Sequence, residues 1–204
     1  VFLDVMQDRY FRLPPDLERA FANFMDGKQS ESTLIDELRR RNILVPGSHG
    51  HQVGWTIAEP PARSAMEMLE HPVRLSLATS AEVLLTTLRA RRDLKKKPLR
   101  HILAALGPQI GGPGTDQLPG LKTQRLLDSA AQFRRARLYA PVAMRCLVDS
   151  IAMTRFLRRR GLPAYIVFGV AVNPFSAHCW VQSGDLVLND SVGNVNAHTV
   201  IRVV

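Results

Sequence analysis

Two apolar runs flank the triplet Ser183-Gly184-Asp185, and this pattern restricts the fold more than any other stretch of the chain. One run is Ala177-His178-Cys179-Trp180-Val181-Gln182; the other is Leu186-Val187-Leu188-Asn189-Asp190. Aromatic and branched residues on both sides of a glycine-centred turn signal predict a β-hairpin. With a three-residue loop, Gln182 pairs with Leu186, Trp180 with Leu188, and His178 with Asp190. Directly opposed side chains share a sheet face, with Cβ atoms roughly 4.5–5.5 Å apart. A carboxylate placed there can hold an imidazole in one tautomer. The inference depends on loop length, because a slip of one residue moves every side chain to the other face.

A nucleophile for this pair comes from a separate helix. From Cys146 the residues Leu147, Val148, Ile151, Ala152, Met153, Phe156 and Leu157 recur at helical spacing. Arg158-Arg159-Arg160-Gly161 and then Pro163 form a helix stop. Cys146 therefore falls at the helix start, where the helix dipole favours a thiolate. A neighbouring imidazolium favours it further, as in cysteine proteases and acyltransferases. The backbone N–H of Cys146 is then a candidate oxyanion donor. A plainer reading stands beside this one. A lone cysteine in an apolar helix is usually buried filler, and a lone strand histidine is usually structural. Cys179, the rival nucleophile, points away from His178 by strand alternation and reads as core filler.

Several motifs then carry a family resemblance: Cys146-Leu147-Val148-Asp149-Ser150, Leu157-Arg158-Arg159-Arg160-Gly161-Leu162-Pro163-Ala164, Gly169-Val170, Pro174-Phe175, Ala177-His178-Cys179-Trp180-Val181 and Leu188-Asn189-Asp190. In this order and spacing they resemble the lasso-peptide biosynthesis B proteins. That family consists of transglutaminase-like cysteine peptidases that remove the leader from a lasso precursor. The resemblance implies a Cys146–His178–Asp190 triad, a precursor peptide as substrate, and an asparagine-synthetase-like cyclase as partner. It also implies that activity can depend on ATP, although no Walker motif is present: Gly111-Gly112-Pro113-Gly114 lacks the following Gly-Lys-Ser/Thr. One departure is Cys179, where the family more often has a small residue such as alanine.

The N-terminal region reads as two strands, 1–5 and 9–13, then a helix after Pro14-Pro15 that ends at Asp26-Gly27. Ser30 or Ser32 can cap a second helix carrying Leu34, Ile35 and Leu38, and Ile43-Leu44-Val45 can return as a strand. This resembles the winged-helix precursor-recognition element fused to the peptidase in some lasso systems. The expected fold class is α+β: a recognition domain over 1–46, a linker over 47–78 and a transglutaminase- or papain-like peptidase domain over 79–204. The chain starts at Val1, without methionine and inside a hairpin, which implies that the natural protein extends upstream. An extended leader can add to the edge of strand 9–13. Phe11 and Leu13 are expected to face the core, leaving Tyr10, Arg12 and the helix residue Asp36 to line a leader groove.

The net charge of +9 raises nucleic acid as a partner. Charges of the two signs nearly cancel over 1–45, however, so the basic excess is not on the winged-helix-like part. It lies in Arg89, Arg91, Arg92, Lys95, Lys96, Lys97 and Arg100, in Arg134, Arg135 and Arg137, and in Arg158 to Arg160. Solvated helix faces account for such runs, with an acidic protein partner ranked ahead of nucleic acid. His49 and His51 have no accompanying cysteine or carboxylate cluster, so no metal is expected. Two cysteines argue against a disulfide framework. No apolar run approaches the roughly 20 residues of a membrane span, and the expected location is the cytoplasm.

In the middle, 80–92, 99–106 and 126–138 are expected helices, and 107–120 a glycine-rich loop. The reading that best joins these observations is a leader peptidase. An acyltransferase of the same fold and a non-enzymatic peptide- or DNA-binding winged-helix protein are the alternatives.

Overall fold

The computed structural model describes residues 1–5, 7, 9–44, 58–68, 73–107 and 120–204. They divide into two compact units, Val1–Trp55 and Thr56–Val204.

In the first unit, β1 (Phe2–Asp4) and β2 (Arg9–Phe11) form an antiparallel hairpin that pairs Phe2 with Phe11 and Asp4 with Arg9. Helix α1 (Pro15–Met25) opens with proline at its first position, where no backbone donor is needed. Its end is marked by Gly27 at φ 69°. Helix α2 (Ser32–Arg40) starts without the expected serine cap. Ser32 is already helical, and Ser30 Oγ donates to the Ala20 carbonyl instead, at 3.3 Å. Leu13, Leu17, Ala20 and Leu38 make the core, with Phe2, Phe11 and Phe21 packed against it. Phe11 and Leu13 thus face inward as expected.

The returning strand does not form at Ile43-Leu44. Asn42 takes a left-handed φ of 55°, and the amides of Asn42 and Ile43 turn back to the carbonyls of Arg39 and Leu38, both at 2.9 Å. That is a Schellman cap, and it spends on the helix end the donors a strand would need. Val45 lies outside the described residues. The described unit is therefore a hairpin followed by two helices.

The second unit begins inside the expected linker, and the linker reading fails there. Residues 63–64 form β3 (Arg63–Ser64), followed by α3 (Ala65–Met68). Helix α4 (Leu77–Lys96) is capped by Ser76, whose Oγ accepts from the Thr79 amide at 3.0 Å. Then come α5 (Leu99–Leu106), α6 (Gly120–Arg137) and α7 (Cys146–Arg158). Strands β4 (Tyr165–Val172), β5 (Phe175–Ser183) and β6 (Leu186–Val187), helix α8 (Val192–Asn196) and strand β7 (Thr199–Val203) complete the chain. The glycine-rich segment expected as a loop lies, over 108–119, outside the described residues.

The sheet order is β3-β6-β5-β4-β7, antiparallel except for β3 beside β6. Helix α7 packs against α4, α6 and β5. It is buried on nearly every side: Ile151, Ala152, Met153, Phe156 and Leu157 are fully inaccessible. Its stop follows the expected pattern, with Gly161 at φ 67° and the Leu162 amide bonded to the Leu157 carbonyl at 3.1 Å.

Part of the basic excess serves the fold. Arg160 forms a bidentate pair with Glu82 at 3.0 and 2.7 Å and lies 3.6 Å over the Phe156 ring. Arg158 donates twice to the Ala164 carbonyl. Arg89, Arg91, Arg92, Lys95, Lys96, Lys97 and Arg100 are exposed. No helix among the described residues is long and apolar enough to cross a membrane.

Candidate active site

The hairpin that presents His178 is tighter than the sequence predicts. Gln182 pairs with Val187 and Ser183 with Leu186, so the loop is the two residues Gly184-Asp185. Gly184 supplies a φ of 58° at the first loop position, which favours a two-residue turn. Asp185 is gripped from β3: its carboxylate takes two bonds from Arg63, at 2.9 and 2.6 Å, and its carbonyl accepts the Ala62 and Arg63 amides. The register is one residue off the expected one, and a continued ladder would send Asp190 to the wrong face. The ladder does not continue. Leu188 donates its amide to Val181, and then the Asn189 side chain replaces the backbone, accepting the Val181 amide at 2.7 Å. Freed from the sheet, Asp190 swings round to His178, and Asp190 Oδ2 bonds His178 Nε2.

This carboxylate is held from several sides. The Ser191 amide donates to Oδ1 at 2.7 Å and Asn194 Nδ2 to Oδ2 at 2.9 Å. The Asp190 carbonyl accepts Ser64 Oγ at 2.6 Å. Burial raises the carboxyl, but the bonds from His178, Ser191 and Asn194 outweigh it and hold Asp190 below its ordinary value. With Nε2 engaged, Nδ1 is the ring nitrogen left for a thiol.

Behind His178 the sheet is closely packed. Its ring stacks on Trp180 at 6.1 Å and lies 5.4 Å from His198. Gly169, paired with His178 across β4 and β5, makes room for both. A Cβ there would meet His198 and Trp180 at 2.9 Å.

Cys146 is the first residue of α7, exposed, with an N–H that has no acceptor inside the helix. Its thiol is held down to about 4. The Cys179 thiol, bonding to the sulfur, is the largest cause; the His178 ring is next, against an opposing effect of burial. His178 is raised to about 9, first by Asp190 and then by Cys146. Both directions favour a thiolate–imidazolium pair over a neutral one between these values.

Cys179 is buried, as expected of core filler, and the side chain it packs on belongs to α7. Its sulfur lies 3.9 Å from Ser150 Oγ, one turn along from Cys146, and its thiol and amide both act to lower the Cys146 thiol. The bond to Cys146, together with burial, pushes the Cys179 thiol up, so it stays protonated. The helix face carrying Cys146 and Ser150 at i and i+4 is the signal that could have located this contact. Ser150 completes the seam, donating to the Cys179 carbonyl at 3.2 Å and accepting from Asn189 Nδ2 at 3.2 Å.

A cavity of about 510 Å³ is lined by Met66, Val73, Phe133, Met144, Asp149 and Asn189 among others, and none of Cys146, His178 and Asp190 lines it. The expected leader-binding residues lie in the first unit. Tyr10 is half-buried on β2, Arg12 is exposed just beyond that strand, and Asp36 is exposed on α2 and paired with Arg39 at 3.0 Å. Strand β2 ends at Phe11, shorter than the expected edge over 9–13. His49 and His51 lie outside the described residues. Among the described residues no three His, Cys, Asp or Glu side chains are gathered as a metal site.

A family model described as the transglutaminase-like superfamily matches residues 84–203, more than half of the chain and all three residues of the site. The chain is also similar to the microcin J25-processing protein McjB of Escherichia coli, 44% identical over 46 residues. That match spans 22% of this chain and 22% of the relative. No solved structure matches.

Proposed function

Because this chain belongs to the transglutaminase-like superfamily, we propose that it is a cysteine endopeptidase that removes the leader from a ribosomally made lasso precursor. The observation that carries this reading is the placement of Cys146 at a helix start, against His178, whose far nitrogen is tied to Asp190. The similarity to a microcin-processing protein supports the choice of substrate.

The chemistry follows from the resting ion pair. The Cys146 thiolate attacks the carbonyl carbon at the leader–core junction, and a C–S bond forms. The oxyanion is met by the Cys146 N–H. Protonated His178 gives its proton to the core nitrogen as the C–N bond breaks, leaving the leader as a thioester and freeing the core amine. Neutral His178 then takes a proton from water, whose oxygen displaces the sulfur and releases the leader acid. Asp190 keeps His178 in one tautomer throughout. The freed core N-terminus is the substrate of a separate asparagine-synthetase-like cyclase. The first unit captures the leader as an added strand on β2, beside Tyr10, Arg12 and Asp36.

The test is incubation of the chain with a lasso precursor, read by mass spectrometry, with and without a free amine acceptor. The reading expects free leader acid and intact core in both arms, and nothing from Cys146→Ala. Leader joined to the amine as the main product would make the chain an acyltransferase instead. Deleting residues 1–45 is expected to weaken precursor capture far more than turnover of a saturating short substrate. Equal losses would make that region mere support.

A further inference from the structure

The backbone around Cys146 is held by more than its own helix. Arg137, the last residue of α6, is 4% exposed. Its Nε donates to Asp149 Oδ1 at 2.6 Å, its Nη2 to the Ala143 carbonyl at 3.1 Å and its Nη1 to the Ala140 carbonyl at 3.5 Å. The other Asp149 oxygen accepts the Arg145 amide at 3.2 Å. One guanidinium thus ties the loop over 138–145 to the first turn of α7, gripping the chain on both sides of Cys146.

This arrangement is costly if its purpose is packing. A buried ion pair is often no more stabilising than apolar residues of the same volume. Asp149 is also an awkward neighbour. It lies three residues beyond Cys146, so it and the sulfur share a helix face, and two negative charges there repel. Burial, with Cys146 adding to it, leaves the Asp149 carboxyl above its ordinary value, against the opposing pull of Arg137 and the Arg145 amide. The other groups facing Cys146 are His178 and Cys179 from β5, with Arg145 preceding it and Asp190 behind His178.

We propose that Arg137 is a positioning residue for the nucleophile: it fixes the loop and first turn that carry Cys146, and it cancels the Asp149 charge that would otherwise oppose the thiolate. The proposal rests on Cys146 being the nucleophile of the site. It requires neither a peptide substrate nor a cofactor.

The test is the rate of Cys146 alkylation by iodoacetamide against pH, mapped by mass spectrometry on the full chain. In Arg137→Met the acid limb should move up by about one pH unit, making labelling about tenfold slower below the limb. Adding Asp149→Asn to that variant should bring the limb back toward its original position. Arg137→Lys should keep the limb. If Arg137→Met does not fold, Asp149→Asn decides the matter in a His178→Ala background, where the limb lies higher. There Asp149→Asn should lower it. A limb unmoved by Arg137→Met in a folded chain, or by Asp149→Asn in the His178→Ala background, overturns the proposal. Normal labelling profiles without precursor cleavage would instead overturn the peptidase reading and leave this one standing.

Discussion

Among the described residues both units have apolar cores, but only the second also buries polar side chains. The first has a core of Leu13, Leu17, Ala20 and Leu38. Its ion pairs, such as Arg39–Asp36 and Arg41–Glu37, are local and on the surface. The second places polar groups deep inside: Ser64, Arg137, Ser150, Gln182 and Ser183 are all buried, and most of these bond to the hairpin or to α7. Apolar packing holds a shape within limits set by side-chain volume, whereas a buried hydrogen bond fixes direction and is expensive to leave unmade. The contrast supports the proposed roles, a docking surface in the first unit and a catalytic site with atoms at set angles in the second.

The largest effect should come from breaking that direction in the second unit. Asp190→Asn keeps the shape but offers His178 the wrong partner, and precursor cleavage should fall roughly 10³- to 10⁴-fold. Near-normal turnover in single-turnover assays would remove Asp190 from the mechanism. Next in size is a cavity in the first unit. Leu38 is fully buried, and Leu38→Ala should cost about 2–5 kcal/mol. In hydrogen exchange, α1 and α2 should lose protection, while Cys146 alkylation stays unchanged. A matching loss of Cys146 reactivity would contradict the division of labour.

Much of the second unit is legible in the residues themselves. Helix α7 follows from its apolar spacing and from Arg-Arg-Arg-Gly before Pro163, and both are local signals. The hairpin is legible as a hairpin but not in its register. Gly184-Asp185 is itself a two-residue turn signal, but the three-residue alternative uses the same residues, and the Arg63 grip on Asp185 comes from 122 positions away. Asp190 reaches His178 because Asn189 ends the ladder with its side chain, a detail that alternation cannot contain. Strand β3 was hidden in the expected linker because two residues carry no period. Strand alternation gives only the face on which Cys179 lies, and the helix residue that covers this face, Ser150, is 29 positions upstream. In the first unit, Ile43-Leu44 has strand-like composition, but Asn42 turns it into a helix cap.

A smaller effect is expected at Cys179. Cys179→Ala removes the thiol that does most to hold Cys146 down, so the acid limb of cleavage should move up. Activity at pH 7–8 should be largely retained, since His178 and Asp190 remain. A dead but folded Cys179→Ala would mean that the roles of the two thiols are misassigned. The smallest effect belongs to the first unit's surface. Arg39→Ala breaks an exposed pair and should leave the unfolding midpoint unchanged within error.

The central claim is that Cys146 rests as a thiolate opposite a protonated His178. The most direct measurement is thiolate absorbance near the ultraviolet edge against pH, with the Cys146→Ala chain subtracted. Cys146 is held at about 4 and His178 at about 9. The pair titrates as a unit. The thiolate should therefore appear as pH rises through about 4 and persist through neutrality, and the imidazolium partner should be lost above about 9. His178→Ala should move the thiolate step up toward the ordinary thiol range. A single step near the ordinary thiol value of about 8.5 in the unaltered chain, unmoved by His178→Ala, would contradict the account.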